Sequence, residues 1–289
     1  MKVLIIGCGP AGITAAIFAS RLGLEPVLVC KEPCGQLPVI ARIENYPALP
    51  GIAGTELCSR LLEHLNFCGI EPLHDEVVSL ERTEQFAART ANGAVLEAPA
   101  VILATGSRRK RLDIPGAQLP GVHYCALCDG ALYAGKKVAV IGCGAGAAHD
   151  AQVLLNLGAE VYIICRSRPR ARMPPGARIV YGRPTRVLGS RRVEAVEIEH
   201  AGKKQVLEVA AVFVAIGQEP CSELARQVGA QLDEQGRVVV DWRMRTTVPG
   251  LFAAGDVCSL GAKQIIVAAA QGAQAAISAA EFLGAPGGI

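Results

Sequence analysis

Residues 3–29 read VLIIGCGPAGITAAIFASRLGLEPVLV. An apolar run of strand length stops at glycines. An Ala-rich stretch comes next and ends at Gly23, and a second apolar run comes after it. Short runs of Val, Leu and Ile bounded by turn residues suit buried strands, and the longer Ala-rich stretch suits a helix. Residues 138–164, VAVIGCGAGAAHDAQVLLNLGAEVYII, repeat this pattern at a constant offset without a gap. Gly7 maps to Gly142, Cys8 to Cys143, Gly9 to Gly144, Gly12 to Ala147, Gly23 to Gly158 and Cys30 to Cys165. Two further runs, VILATG at 101–106 and VFVAIG at 212–217, also read as buried strands that end in glycine. The second copy is shorter inside than the first. The run from Ile265 to Leu283 is apolar but includes Gln271, Gly272, Gln274 and Glu281, which predicts a buried helix rather than a membrane span.

Each copy is therefore a strand, a Gly-x-Gly-x-x-Gly/Ala turn, a helix and a strand. The first glycine permits the tight turn, and the second lets the backbone approach a diphosphate. The third position is small so that the helix can pack on the strand. An anion would then meet the free N–H groups and positive dipole of a helix N-terminus. One such turn is a weak signal; two in the same frame make a strong one. The predicted fold is α/β, with two Rossmann-like dinucleotide-binding domains of the three-layer ββα type, the second inserted into the first. Residues 1–112 open the first domain, 113–242 form the second, and 243–289 return to the first. The linkers are rich in Arg, Pro and Gly. The run Arg108–Arg111 in the first linker reads as a solvated hinge surface before it reads as a docking patch.

Composition changes this picture little. The chain has 289 residues, half of them apolar, and a net charge of +3 that is too small to argue for nucleic acid. The opening MKVLIIGCGPAG mimics a signal peptide, but its apolar run is short and leads into the glycine turn. A cytoplasmic location is expected. The eleven cysteines are odd in number and mostly scattered, unlike a secreted disulfide scaffold. Most are expected to be small buried hydrophobes.

The stretch YCALCDGALY at 124–133 sets two cysteines three positions apart with Asp129 next. By itself it could be half a zinc site, a structural disulfide or a pair that carries electrons. Zinc needs a second ligand pair, and the sequence offers only Cys30 and Cys34, at a different spacing. No metal is expected.

Several motifs together resemble the low-molecular-weight, bacterial-type thioredoxin reductases, over nearly the whole chain. GCGPAG (Gly7, Gly9, Pro10, Ala11, Gly12) resembles their FAD-diphosphate turn, and CGQLPVIARIENYP (Gly35, Gln36, Leu37, Asn45) their flavin loop. ATG (Ala104, Thr105, Gly106) resembles the close of the FAD unit. LFAAGDV (Gly255, Asp256) resembles the segment whose aspartate bonds the flavin's ribityl chain. KQIIVAAAQG (Lys263, Gln264, Ile265) resembles the helix start near the flavin ring. Cys30 stands where a ribose-binding carboxylate often ends the second strand, so Glu32 is the candidate for that contact. CALCDG resembles the redox motif. The resemblance implies that electrons pass through FAD to a Cys125–Cys128 disulfide and on to a thioredoxin-like protein. Cys128 would face the flavin, Cys125 would attack the partner and Asp129 would move a proton. It also implies a homodimer, and domains that rotate about the linkers.

The second copy departs from the family. His149 and Asp150 stand where paired glutamates are usual. Gly142, Gly144, Ala147 and Arg166 remain as candidate nucleotide contacts. Of the arginines in CRSRPRAR only Arg166 is in register, and a strand RIVYG comes after MPPGAR where a helix would be usual. No carboxylate ends the second strand, so NADH is disfavoured. The expected donor is reduced ferredoxin or another non-nicotinamide donor, with NADPH nearly equal. A dithiol oxidase running in reverse with oxygen and a non-catalytic flavin redox sensor are the other readings.

Overall fold

The structure, a computed structural model, describes residues 1–40 and 42–285. Ala41 of the flavin-type loop and residues 286–289 of the last segment lie outside the described residues. The chain begins with β1 (Lys2–Ile6), α1 (Pro10–Arg21), β2 (Glu25–Val29) and α2 (Gly54–Phe67). An antiparallel trio comes next, β3 (Val77–Arg82), β4 (Phe86–Thr90) and β5 (Val95–Ala98), then β6 (Ala100–Leu103) and β7 (Ser107–Arg109). After these stand β8 (Val122–His123), α3 (Ala126–Asp129), β9 (Lys137–Ile141), α4 (Ala145–Asn156), β10 (Glu160–Cys165) and β11 (Arg178–Tyr181). A second antiparallel trio is β12 (Arg183–Leu188), β13 (Ala195–His200) and β14 (Lys203–Glu208). The chain closes with β15 (Ala211–Val214), β16 (Gln218–Pro220), α5 (Glu223–Gln227), β17 (Leu251–Ala253) and α6 (Ile265–Leu283).

These elements form two compact units: residues 1–108 with 219–289, and residues 109–218. In the first, parallel strands run in the order β17-β6-β1-β2. Alternation along β1 sorts its side chains onto two buried faces, as parallel strands require. Val3 and Ile5 meet the helices, packing with Ile13, Ala16 and Ala276. Leu4 and Ile6 meet the antiparallel trio, packing with Leu80, Phe86 and Ala88. The second unit repeats this. Its sheet order is β11-β10-β9-β15-β8. Val138 and Val140 face Ala147, Ala151 and Leu154 of α4, while Ala139 and Ile141 face Val196 and Ile198.

The chain returns to the first unit at Glu219, upstream of the expected 243. The reason is burial: Leu224 and Ala225 of α5, with Val238, join the core of β1, β6 and the first antiparallel trio. The helix α6 is long and apolar enough to span a membrane by length and composition. Ala275, Ala276, Ala279 and Ala280 lie instead in the helical core of the first unit.

Candidate active site

Both glycine turns have the geometry that the repeat predicts. Gly7 has φ +109°, and a Cβ there would stand 2.3 Å from the Ala104 carbonyl oxygen. Gly142 has φ +145°, and its Cβ would stand 2.2 Å from the Ala215 oxygen. A side chain is thus barred twice over, by conformation and by space. Gly9 and Gly144 precede α1 and α4 with extended backbone, and a Cβ on either would meet nothing within 4 Å. Open space over the N-terminus of a long helix is the cradle that a diphosphate needs, so the first turn fits FAD.

In the first unit other segments gather around that turn. A Cβ on Gly35 would lie 3.5 Å from the Gly9 Cα, and one on Gly255 3.1 Å from the Ala11 Cβ. The loop of Gly35–Leu37 and the Gly255–Asp256 segment therefore both flank the start of α1. The Gln36 amide donates to the Ser107 carbonyl at 2.9 Å, and the Ser107 hydroxyl donates to the Asp256 carboxylate at 3.2 Å. The Asn45 amide donates to the Gln264 side-chain oxygen at 2.8 Å, just ahead of Ile265 at the start of α6. Ala104 is held by its N–H to the Ile6 carbonyl, and the Thr105 hydroxyl donates to the Cys221 carbonyl at 2.6 Å. Glu32 and Lys263 are exposed; the Glu32 carbonyl accepts the Gly35 N–H at 3.2 Å. Pro10 and Gly12 lie in the first turn of α1, where Gly12 packs against the Gly7 carbonyl. Ser107 was not among the sequence candidates, although its place just after ATG could have marked it.

Cys125 and Cys128 form a disulfide. Cys125 caps the short α3, and its sulfur accepts the Cys128 N–H at 3.2 Å. Cys125 is half-buried and Cys128 exposed, with exposed Leu127 and Leu132 close by in sequence. The structure adds a partner for Asp129: its carboxylate lies 3.0 Å from Nδ1 of His123, and Nε2 of that ring lies 2.8 Å from the Tyr133 hydroxyl. A hydrogen on Nδ1 lets the ring donate to the carboxylate, and Nε2 can then accept from the Tyr133 hydroxyl. Burial, and next the Asp129 charge, push the Tyr133 hydroxyl above its ordinary pKa, which keeps it a donor. The imidazole is stacked on buried Phe213, centroids 5.2 Å apart, which fixes the ring. A histidine two positions before Cys125, and a tyrosine four after Asp129, were visible in the sequence but had no partner there.

In the second unit a cavity of about 730 Å³ lies over the Gly142–Gly146 turn. Arg109, Lys110, Arg166 and Arg170 line it, with His149 and Asp150. The loop after β10 holds no helix, and the Arg170 N–H bonds the Cys143 carbonyl at 2.8 Å, fastening that loop to the turn. Burial raises the pKa of Asp150, against the pull of Arg109 and His149. The basic run of the linker is divided: Arg108 pairs with Glu219 and Glu223 at 2.7 and 2.6 Å, while Arg109 and Lys110 line the cavity.

Four of the eleven cysteines are paired, the second pair being Cys34–Cys58. No pattern in the sequence pointed to that link. Among the described residues, no group of three or more His, Cys, Asp or Glu is arranged to hold a metal.

Comparison with known proteins gives these features a family. The pyridine nucleotide-disulphide oxidoreductase family matches residues 1–272. The chain belongs to that family. It is 33% identical to a thioredoxin reductase of Spironucleus barkhanus, over 99% of this chain and all of that protein. Among solved structures it resembles the thioredoxin reductase of Lactococcus lactis, with TM-score 0.89 and 32% identity over 98% of each chain. It also resembles a ferredoxin-flavin thioredoxin reductase of Clostridium acetobutylicum, with TM-score 0.57 and 29% identity over 98% and 97%. Within the family the activity of this chain is reduction of a thioredoxin disulfide, and its cofactor is FAD.

Proposed function

We propose that Cys125 and Cys128 are the thiols that carry this reduction, with Asp129 as their proton group and His123 as the residue that positions it. The observation that carries this is the Asp129 carboxylate 3.0 Å from His123, one residue beyond a formed Cys125–Cys128 disulfide. FAD, when bound, supplies the electron pair that opens the disulfide. Cys128 takes the flavin-facing role. The Cys125 thiolate attacks a sulfur of the thioredoxin disulfide, and the partner's other sulfur leaves as thiolate and is protonated. The Cys128 thiolate then attacks the Cys125 sulfur of the mixed disulfide. This releases reduced thioredoxin and closes the pair again. Asp129 holds or yields a proton at its carboxylate oxygen, oriented by the imidazole. Trapping with a thioredoxin tests the assignment in the two single variants. A mixed disulfide through Cys125 in the Cys128→Ser protein, and none in the Cys125→Ser protein, is the expected result.

FAD is assigned to the first unit. Gly7, Gly9, Pro10, Ala11 and Gly12 would hold its diphosphate, and Glu32 or nearby backbone its ribose. Gly35, Gln36, Leu37, Asn45, Lys263, Gln264 and Ile265 would surround the flavin. Ala104, Thr105 and Gly106 would close the site, and Gly255 with Asp256 would meet the ribityl hydroxyls. The unit of residues 109–218 carries the redox pair.

The donor assigned to the flavin is reduced ferredoxin or another non-nicotinamide reductant. The supporting observation is the helix-less loop fastened across the second turn by Arg170, together with the loss of the paired glutamates and the likeness to the clostridial ferredoxin-flavin protein. One feature favours NADPH as a second reading: the cavity over Gly142, Gly144 and Ala147 is lined by Arg166 and three further cations, which suit a 2′-phosphate. Anaerobic titration of the oxidised flavoprotein separates them. Bleaching by reduced ferredoxin with little response to NADPH or NADH is expected; rapid bleaching by low NADPH overturns the first reading. A homodimer, checked by light scattering, and a cytoplasmic place of action complete the assignment.

A further inference from the structure

Four cysteines converge at the first glycine turn. Cys8 lies between Gly7 and Gly9, Cys30 just past β2, Cys34 in the loop that precedes Gly35, and Cys58 on α2. Cys34 and Cys58 are joined by a disulfide. The neighbouring Cys30 thiol, against burial and with a smaller contribution from the Cys34 backbone, holds the Cys8 thiol below its ordinary pKa. Cys34 is fully buried with φ +61°, a left-handed conformation that residues other than glycine rarely adopt. The disulfide and the Leu37 N–H on the Cys34 carbonyl at 3.2 Å both anchor it there. The next residue, Gly35, presses on Gly9 of the diphosphate turn. At the other end, α2 is docked to the same loop, with the Gly54 N–H on the Ile40 carbonyl at 2.8 Å. The bond thus ties the outer helix to the lip of the cofactor turn.

We propose that Cys34–Cys58 is a second redox-active disulfide, opened through Cys58 by dithiols of the thioredoxin class, and that its state sets how firmly the loop of residues 33–37 holds FAD. This rests on the assignment of FAD to the first unit. Cys58 is the half-buried sulfur and Cys34 the sealed one, so attack falls on Cys58. A thiolate of reduced thioredoxin bonds to the Cys58 sulfur as the Cys34–Cys58 bond breaks, and Cys34 leaves as thiolate and takes up a proton. The second thioredoxin thiol, losing its proton, then attacks its partner sulfur and frees the Cys58 thiolate, which is protonated. One protein disulfide gains two electrons and two protons, and one thioredoxin dithiol is oxidised. The reverse reaction with oxidised thioredoxin closes the bond. The reductant is the enzyme's own product, so the arrangement is a product-sensing brake. When reduced thioredoxin accumulates, Cys34 is free to leave its left-handed conformation and the loop loosens from Gly9.

The test uses the FAD-loaded protein and a thioredoxin reduced beforehand and freed of small reductants. Thiols are alkylated at increasing ratios of reduced to oxidised thioredoxin, and each cysteine is mapped by mass spectrometry. Cys125–Cys128 serves as the internal control. Flavin released through an ultrafilter is measured in the same samples. Cys34 and Cys58 should become alkylated together, and FAD retention should weaken about tenfold as the holding conformation becomes a minority state. Cys58→Ser should show the weaker retention at every ratio; if that variant fails to fold, the reduced wild-type protein gives the same reading. A Cys34–Cys58 bond that stays closed while Cys125–Cys128 is fully open overturns the proposal, as does an opened bond with unchanged FAD retention. Asp256→Ala controls the underlying assignment: flavin kept at full strength in that variant would count against the FAD site itself, independently of the disulfide.

Discussion

Gly7 and Gly142 end their strands alike, each with a carbonyl oxygen just over 2 Å from where a Cβ would be. Past the second strand the two copies part. In the first unit the segment from β2 to the bridge at Leu73 builds a loop onto Gly9, then α2, and locks the two by Cys34–Cys58. In the second unit β10 leads to β11 through a loop without a helix, fastened to the turn by one backbone hydrogen bond from Arg170 and lined with guanidinium groups. The strand–turn–helix is a scaffold that can be copied without carrying a ligand preference. Preference is written in the segment after the second strand, where carboxylate, arginine or loop contacts reach the nucleotide's sugar and rings.

The largest effect expected separates the units by function. Cys128→Ser should abolish thioredoxin reduction while leaving flavin content at wild-type level, measured by turnover and by absorbance of the purified protein. Flavin lost along with activity would mean that the redox pair and the cofactor turn are not independent in the way the two units suggest.

Next comes the shared backbone. Gly7→Ala and Gly142→Ala each set a methyl against a fixed carbonyl, at a cost of about 2 kcal/mol or more. Gly7→Ala should empty the protein of flavin. Gly142→Ala should keep flavin but speed hydrogen exchange across residues 109–218. Equal flavin loss from both would erase the contrast between the turns.

A smaller effect is expected at His123. Replacing it by Asn removes the ring that orients Asp129, and kcat should fall roughly tenfold with KM for thioredoxin little changed. The pH profile of kcat should also move, which a merely structural contact would not produce. An unaltered profile removes His123 from the proton path.

The smallest effect concerns Asp150. Burial holds its carboxyl above the ordinary range, so the folded chain binds that proton more tightly than the unfolded chain. Its cost to stability enters as pH rises through about 3.9, the unfolded value, and is complete above the raised one. Asp150→Asn should therefore raise thermal stability near neutral pH and give no gain below about pH 3.9. A gain that persists in acid would assign the effect to packing instead.

Much of this was legible in the residues. The repeat carried both turns, and unbroken apolar runs such as VLII and VAVI marked buried strands. Gln36 and Asp256, both named from their motifs, come together in the structure at Ser107. Three features were not legible. The return of the chain at Glu219 depends on a short α5 and on Val238, whose few apolar residues show no period long enough to read. The Cys34–Cys58 link joins positions whose sequence separation says nothing about their distance. The His123–Asp129 contact depends on the extended backbone of Cys125 turning at once into α3, which brings residues on either side of the pair together.

The second unit also leaves and re-enters the chain at one place: the Lys110 N–H bonds the Gly217 carbonyl at 3.0 Å. A segment with its two ends side by side behaves as a cassette. It can be cut out, exchanged with that of a relative, or rejoined end to end without stretching the host. A lineage could thus exchange the unit that holds Cys125 and Cys128 in a single recombination event while keeping the first unit untouched.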